Sequence, residues 1–301
     1  MTGASTIRIG LLLPEVLGTY SDAGNAAVLA ARARWRGVPA EILTIHADAT
    51  PPTGCDVYLI GGGEDTAQLV AADWLRRHRD LHHALDSSAQ VLAVCAGLQI
   101  LGHTMRDRAG RDHPGLGVLD LTTAPGRRRA VGEITTTCAI PGVGQLTGFE
   151  NHQGITTLGP GTASLGTVVT GTGNGTRDHT GRRTEGVRTD RVIGTYLHGP
   201  VLARNPALAD HILTAITGTE MAPLELPDQA ALRRTYLEPH ATRKRLHLRR
   251  RIPNTFPGNG DRDTSGGPGQ RTARLAIDRL TGSPPGRHWL PTARVDQAVG
   301  S

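Results

Sequence analysis

The stretch Val91-Leu92-Ala93-Val94-Cys95-Ala96-Gly97-Leu98-Gln99 decides the fold. Its four leading apolar residues suit a strand buried on both faces, and a helix starts directly after them at small residues. A strand that stops at a cysteine and turns sharply into a helix is a nucleophile elbow. It lifts the thiol above the sheet edge, where the first helical amides add positive potential at the sulfur. Ala96 and Gly97 permit the turn, because bulkier side chains would collide with neighbouring backbone. The competing reading is that Cys95 only fills core space, as most buried cysteines do. A filler has no need to sit at a strand end before a small-residue helix entry, so position favours the nucleophile.

Outward from the elbow, the first 218 residues alternate short apolar runs with helical stretches, the pattern of an α/β domain with a mainly parallel sheet flanked by helices. Ile7 to Leu13, Ala40 to Ile45 and Val57 to Ile60 read as strands. Asp22 to Arg36 reads as a helix capped by Ser21, and a further helix runs from about Ala67 to Arg77 or beyond. The helix after Cys95 is expected to continue to about His103. Glycine- and threonine-rich segments follow, with Glu133 to Ala139 and Thr167 to Thr170 alternating as antiparallel or edge strands do. Val192 to Leu197 restores a buried strand, and Pro206 to Thr217 a terminal helix with proline in its first turn. The domain is expected to end near Gly218. Residues 219 to 238 read as a possible helical extension, and residues 239 to 301 as an Arg/Pro/Gly-rich disordered tail too poor in apolar surface to offset chain entropy.

The chain of 301 residues carries a formal charge of +6, which invites a nucleic-acid reading. The distribution argues against it: residues 1 to 218 hold 19 Arg and 19 acidic residues, whereas the remainder holds 14 basic and 8 acidic. All the excess lies in the tail, which reads as solvated rather than as an RNA or lipid contact. Cys55, Cys95 and Cys138 are too few and too scattered for a disulfide framework, and no CxxC pair offers zinc spacing, so no metal site is expected. No apolar run approaches the roughly 18 residues of a membrane span. Met1 to Gly10 lacks the features of a secretory signal. The expected location is cytoplasmic, without membrane insertion.

A thiolate nucleophile needs an imidazole and a pair of amide donors for the oxyanion. His198, in Gly194-Thr195-Tyr196-Leu197-His198-Gly199-Pro200, stands at the end of an apolar strand and so reaches the same sheet edge as Cys95. His78, His82 and His83 fall in a polar helical stretch, and His240 and His247 in the tail. The turn Gly61-Gly62-Gly63 supplies backbone amides, with that of Ala96 as second donor. Cys55 and Cys138 have neither elbow nor imidazole nearby and read as inert.

Cys95-Ala96-Gly97-Leu98-Gln99, Gly61-Gly62-Gly63 and Thr195-Tyr196-Leu197-His198-Gly199-Pro200 resemble the class I glutamine amidotransferases of the cobyric acid synthase (CobB/CobQ) branch. Phe149-Glu150-Asn151-His152-Gln153-Gly154 and Arg129-Ala130-Val131-Gly132-Glu133-Ile134 are similar to segments of the GatD-type glutaminase subunits of lipid II isoglutaminyl synthase, and the likeness spans about residues 7 to 217. The resemblance implies a flavodoxin-like fold and hydrolysis of L-glutamine to glutamate and ammonia. Cys95 would form a thioester, His198 would move protons, and the amides of Gly62 or Gly63 and Ala96 would hold the oxyanion. It implies Arg129 as a substrate-binding residue, whose guanidinium forks onto a carboxylate, with Arg127 and Arg128 as register alternatives and a solvated loop as the bland reading. Gln99 would orient substrate or simply face the helix surface, and His152 would line the pocket.

The same resemblance implies no cofactor in this chain. ATP and Mg are expected on a MurT-like ligase partner in a heterodimer, which would use the ammonia to amidate the D-glutamate α-carboxylate of lipid II during peptidoglycan synthesis. Alternatives are an amidotransferase for a cobyrinate-like or nucleotide acceptor, and a catalytically silent scaffold of the same fold. The chain has no GxxxxGK[ST] loop, which favours a separate ATP-using partner. One position departs from the usual triad: the acid two residues after the histidine is replaced by Pro200. The expected substitute is a carboxylate from the partner, with Glu64, Asp65 or Glu150 as candidates within the chain.

Overall fold

The computed structural model describes residues 5–19 and 22–237. The expected cap Ser21 and the basic tail beyond residue 238 lie outside the described residues. The chain begins with β1 (Ile7–Leu12), α1 (Ala23–Arg34), β2 (Ala40–Ile45), β3 (Val57–Ile60), α2 (Asp65–Arg77), α3 (Arg79–Ser87), β4 (Gln90–Val94) and α4 (Ala96–Ile100). It continues through β5 (Thr104–Arg106), β6 (Asp112–Pro114), β7 (Leu121–Cys138), β8 (Gln145–Leu158), β9 (Gly166–Thr170) and β10 (Thr184–Glu185). It closes with β11 (Val187–Arg188), β12 (Val192–Thr195), α5 (Val201–Arg204), α6 (Pro206–Thr217) and α7 (Pro227–Leu237).

Two sheets result. The first has the order β11-β12-β4-β3-β1-β2, parallel except for β11. Its inner strands are apolar because helices cover both faces, and every residue of β3 and β12 is buried. The edge strand β2 exposes Glu41, Ile42 and Thr44. Registers Ile60↔Ala93 and Thr195↔Val94 bring the C-terminal ends of β3, β4 and β12 to one edge, where the residues after all three strands converge. This is the α/β architecture with a mainly parallel central sheet expected from the sequence.

Helix α1 packs on β1 to β3 and against α5 and α6. Buried Arg32 locks it to α6 through a bidentate pair with Asp210, Nε to Oδ1 at 2.7 Å and Nη2 to Oδ2 at 2.6 Å. Gly218, at φ 67°, ends α6 in the left-handed conformation that glycine adopts at no steric cost. Beyond it α7 returns to the body, where the Gln229 amide donates to the Ala203 carbonyl at 3.1 Å. Among the described residues no helix is long and apolar enough to cross a membrane.

The second sheet, β10-β9-β7-β5-β6 with β8 paired to β7, is antiparallel except for β5 against β7. It departs from the sequence expectation in extent. The alternation around Glu133 to Ala139 belongs to an 18-residue strand, and β8 carries the Asn151-His152-Gln153 cluster within its own 14 residues. The register between them breaks from Pro125 to Ala130, so Arg127, Arg128 and Arg129 sit in an irregularity of β7 rather than in a separate loop. The helix after Cys95 also stops earlier than expected, at Ile100. The amides of Leu116, Leu119 and Gly117 take the carbonyls of Ile100, Leu101 and Gly102, which leaves none to continue the helix.

Candidate active site

Cys95 ends β4 with φ 53° and ψ −103°, a conformation that non-glycine residues rarely hold. Neighbouring backbone enforces it: the Cys95 amide donates to the Thr195 carbonyl at 2.8 Å, and the Gly97 amide donates to the Gly61 carbonyl at 3.2 Å. The elbow therefore hangs between the ends of β12 and β3. A side chain at position 97 would meet the Ile60 carbonyl oxygen at 2.5 Å, so glycine is required there for the helix to approach β3.

His198 lies just past β12, almost wholly buried. Its backbone is fixed by exchange with Phe149 of β8, with the His198 amide donating at 2.8 Å and the Phe149 amide at 3.3 Å. Buried Glu185 supports the approach to it, accepting from the Thr195 hydroxyl at 2.9 Å and the Tyr196 amide at 2.8 Å. The His198 ring lies close enough to the Cys95 thiol for the two to interact. Both flank Gly62: a Cβ placed there would lie 2.7 Å from His198 Cε1 and 3.5 Å from Cys95 Cβ. Residues 62, 95 and 198 thus meet at one point although they lie on three strand ends.

A carboxylate missed by the sequence reading completes the cluster. Asp22 was expected inside a helix; instead α1 starts at Ala23, and the buried Asp22 side chain lies 3.8 Å from His198 Nδ1 through Oδ2. The same oxygen accepts the Gly62 amide at 2.7 Å. That bond commits the Gly62 amide, one of the expected oxyanion donors, and leaves Gly63 and Ala96 for the role. The other carboxylates considered within the chain lie elsewhere. Glu64 is the exposed N-cap of α2, Asp65 pairs with Arg108 at 3.9 Å, and Glu150 faces His152 at 3.6 Å. Only a polar residue at a helix entrance after an apolar strand hinted at Asp22 in the sequence, and nothing local signalled its partner.

Burial alone would push the His198 imidazole down, but Asp22 and the Cys95 thiol outweigh it and raise it to about 9. The two together favour the charged form of the ring near neutral pH. Since the folded value lies above the ordinary 6.5, its contribution to stability is whole below pH 6.5 and disappears as pH rises through 9. Burial pushes Glu185 up to about 7, so its effect falls at lower pH. Unfolding measured by denaturant titration should show a loss of about 1–3 kcal/mol between about pH 7 and about pH 10, and His198→Gln should flatten that decline. An equally steep decline in the variant would assign it to other groups.

An open cleft leads down to Cys95, lined among others by Gly63, Gln99, Arg108, Arg129, His152 and Gly154. Arg129, not its two neighbours, reaches this cleft; its Nε donates to Asn151 Oδ1 at 2.5 Å. Gln99 also lines it, yet both ends of its amide are engaged inside, by Gln68 at 2.7 Å and by the Tyr196 hydroxyl at 3.0 Å. It forms part of the floor. His152 stacks on Tyr196 with ring centroids 3.8 Å apart, and its Nδ1 contacts the Gly154 carbonyl at 3.0 Å, a supporting arrangement. Cys55 and Cys138 stand apart from the cluster, and burial raises both thiols.

A thiol, an imidazole and a glycine turn meet at the end of a parallel sheet, the groups that acyl transfer of the cysteine type uses. The chain belongs to the CobB/CobQ-like glutamine amidotransferase family, whose model matches residues 8–206. It is similar to the lipid II isoglutaminyl synthase (glutamine-hydrolyzing) subunit GatD of Staphylococcus aureus, with 32% identity over 225 residues, covering 73% of this chain and 89% of that protein. The Streptococcus pneumoniae subunit of the same name is 34% identical over 212 residues, covering 69% and 79%. Among solved structures, the glutaminase domain of Trypanosoma brucei CTPS with bound acivicin aligns at 11% identity with a TM-score of 0.44, over 74% of this chain and 98% of that one.

Proposed function

We propose that this chain is the glutaminase subunit of a lipid II isoglutaminyl synthase. The observation that carries the chemistry is the meeting of the Cys95 thiol with the buried His198 beside the Gly61-Gly62-Gly63 turn; the acceptor rests on the two GatD relatives. The Cys95 thiolate attacks the side-chain amide carbon of L-glutamine, and the amides of Gly63 and Ala96 take the oxyanion. His198 gives its proton to the departing nitrogen, which leaves as ammonia, and a γ-glutamyl thioester remains. His198, now neutral, accepts a proton from water as its oxygen attacks the thioester; glutamate departs and the thiolate returns. Arg129 forks onto the substrate α-carboxylate; its position in the cleft lining supports this reading.

The ammonia passes to a separate MurT-like Mur-ligase subunit, which uses ATP and Mg to amidate the D-glutamate α-carboxylate of lipid II at the cytoplasmic side. Two measurements test this. A glutamine-analogue alkylator should label Cys95 in the intact chain, as read by peptide mass spectrometry; selective labelling of Cys55 or Cys138 would overturn the site. Co-purification with a Mur-ligase-family protein should yield ATP- and glutamine-dependent amidation of lipid II, with glutamate released faster than by the chain alone. A purified pair that leaves lipid II unmodified while hydrolysing glutamine would refute the acceptor and keep the glutaminase.

A further inference from the structure

Asp22 is held in place by more than its own bonds. The start of α1 clasps the turn after His198: a Cβ on Gly24 would meet Pro200 Cγ at 2.4 Å, and Asn25 Oδ1 accepts the Leu202 amide at 3.0 Å. Pro200, where a triad acid would ordinarily sit, thus packs on the helix that delivers Asp22. The Asp22 carboxylate is 3% exposed, and its Oδ1 has no hydrogen-bond partner among the described residues. A buried carboxylate left half-satisfied is costly, and a neutral amide side chain would serve better if its only task were to receive the Gly62 amide.

We propose that Asp22 is the positioning residue for His198, facing Nδ1 so that Nε2 is presented to the Cys95 thiol, and that through Gly62 it also anchors the oxyanion turn. The proposal rests on the glutaminase reading and puts a carboxylate of this chain beside the imidazole before any partner binds. The orienting group and the turn then answer to a single side chain, so base and oxyanion donors are set together. The titratable groups acting on His198 are Asp22 and Cys95.

The test uses the full chain with Asp22→Asn, whose carbonyl oxygen can still accept the Gly62 amide while the charge is gone. Glutamine hydrolysis and Cys95 alkylation by iodoacetamide are followed from about pH 5 to about pH 10. The variant should lose kcat by at least about 100-fold with KM little changed. Its alkaline limb should move at least one unit or so toward neutrality, while alkylation requires higher pH, and Asp22→Glu should recover part of both. Unchanged limbs would overturn the proposal, whether kcat is retained or falls with the melting temperature, because a tie to Gly62 alone does not retune the ring. Should Asp22→Asn fail to fold, imidazole NMR on the unmodified chain decides: His198 must titrate above pH 8 or so with Nδ1 protonated, and an ordinary titration near 6.5 would overturn the assignment. Alkylation is read without glutamine, so failure of the glutaminase reading would show separately as a wild-type chain that hydrolyses none.

Discussion

Cys95→Ala should abolish glutamine hydrolysis, by on the order of 10⁴- to 10⁶-fold, while the chain still folds and binds glutamine. Among the described residues Cys95 is the one cysteine that lines the cleft, and the bonds that shape the elbow are made by backbone. The amide of residue 95 reaches Thr195 and that of Gly97 reaches Gly61, whatever side chain stands between them. Alanine keeps the Cβ and removes only the nucleophile. Glutamate release by a coupled assay reads the loss, and calorimetric titration with glutamine reads the retained binding. Hydrolysis within about tenfold of the parent would place the reaction at another group.

Gly62→Ala should cost about 10²- to 10³-fold in kcat with a modest change in melting temperature. The added methyl would sit 2.7 Å from His198 Cε1 and 3.3 Å from Asp22 Oδ2, so the ring must yield. A displacement of about 1 Å in an acid–base group is worth about 100-fold. Gly97→Ala is the matching control, because its methyl would press on the Ile60 carbonyl and so on the sheet itself. That variant should lose stability, read as a lowered melting temperature. Activity in Gly62→Ala near that of the parent would show that the imidazole is not confined as described.

The strand ends that build the site were legible because parallel strands covered on both faces leave uninterrupted apolar runs. Val57–Ile60 agrees with the expectation residue for residue, and β4 differs by one. Cys95 and His198 could be found for the same reason: each stands where such a run stops. The second sheet was harder to read. Its long strands are half exposed, and Thr, Gly and Arg alternate along β7 without an apolar face strong enough to mark its length. Asp22 was hidden by a different cause. The pairing with His198 spans 176 residues of sequence and arises from the docking of α1 on the Gly199-Pro200 turn, a tertiary contact that no local pattern encodes. Gly62 was read as an oxyanion donor because a glycine turn advertises its amides but not their acceptors.

The positive φ at Cys95 has a thermodynamic consequence. The unfolded chain has no reason to visit that geometry, so the hydrogen bonds that the Cys95 and Gly97 amides donate to the Thr195 and Gly61 carbonyls must continually oppose a local tendency to relax. Loosening either flanking strand by a small fraction of the energy needed to melt the domain lets the sulfur swing out of register. Catalytic competence is therefore a more sensitive gauge of the central sheet than calorimetry, and on gentle heating or mild denaturant the reaction should fail while circular dichroism still reports an intact protein.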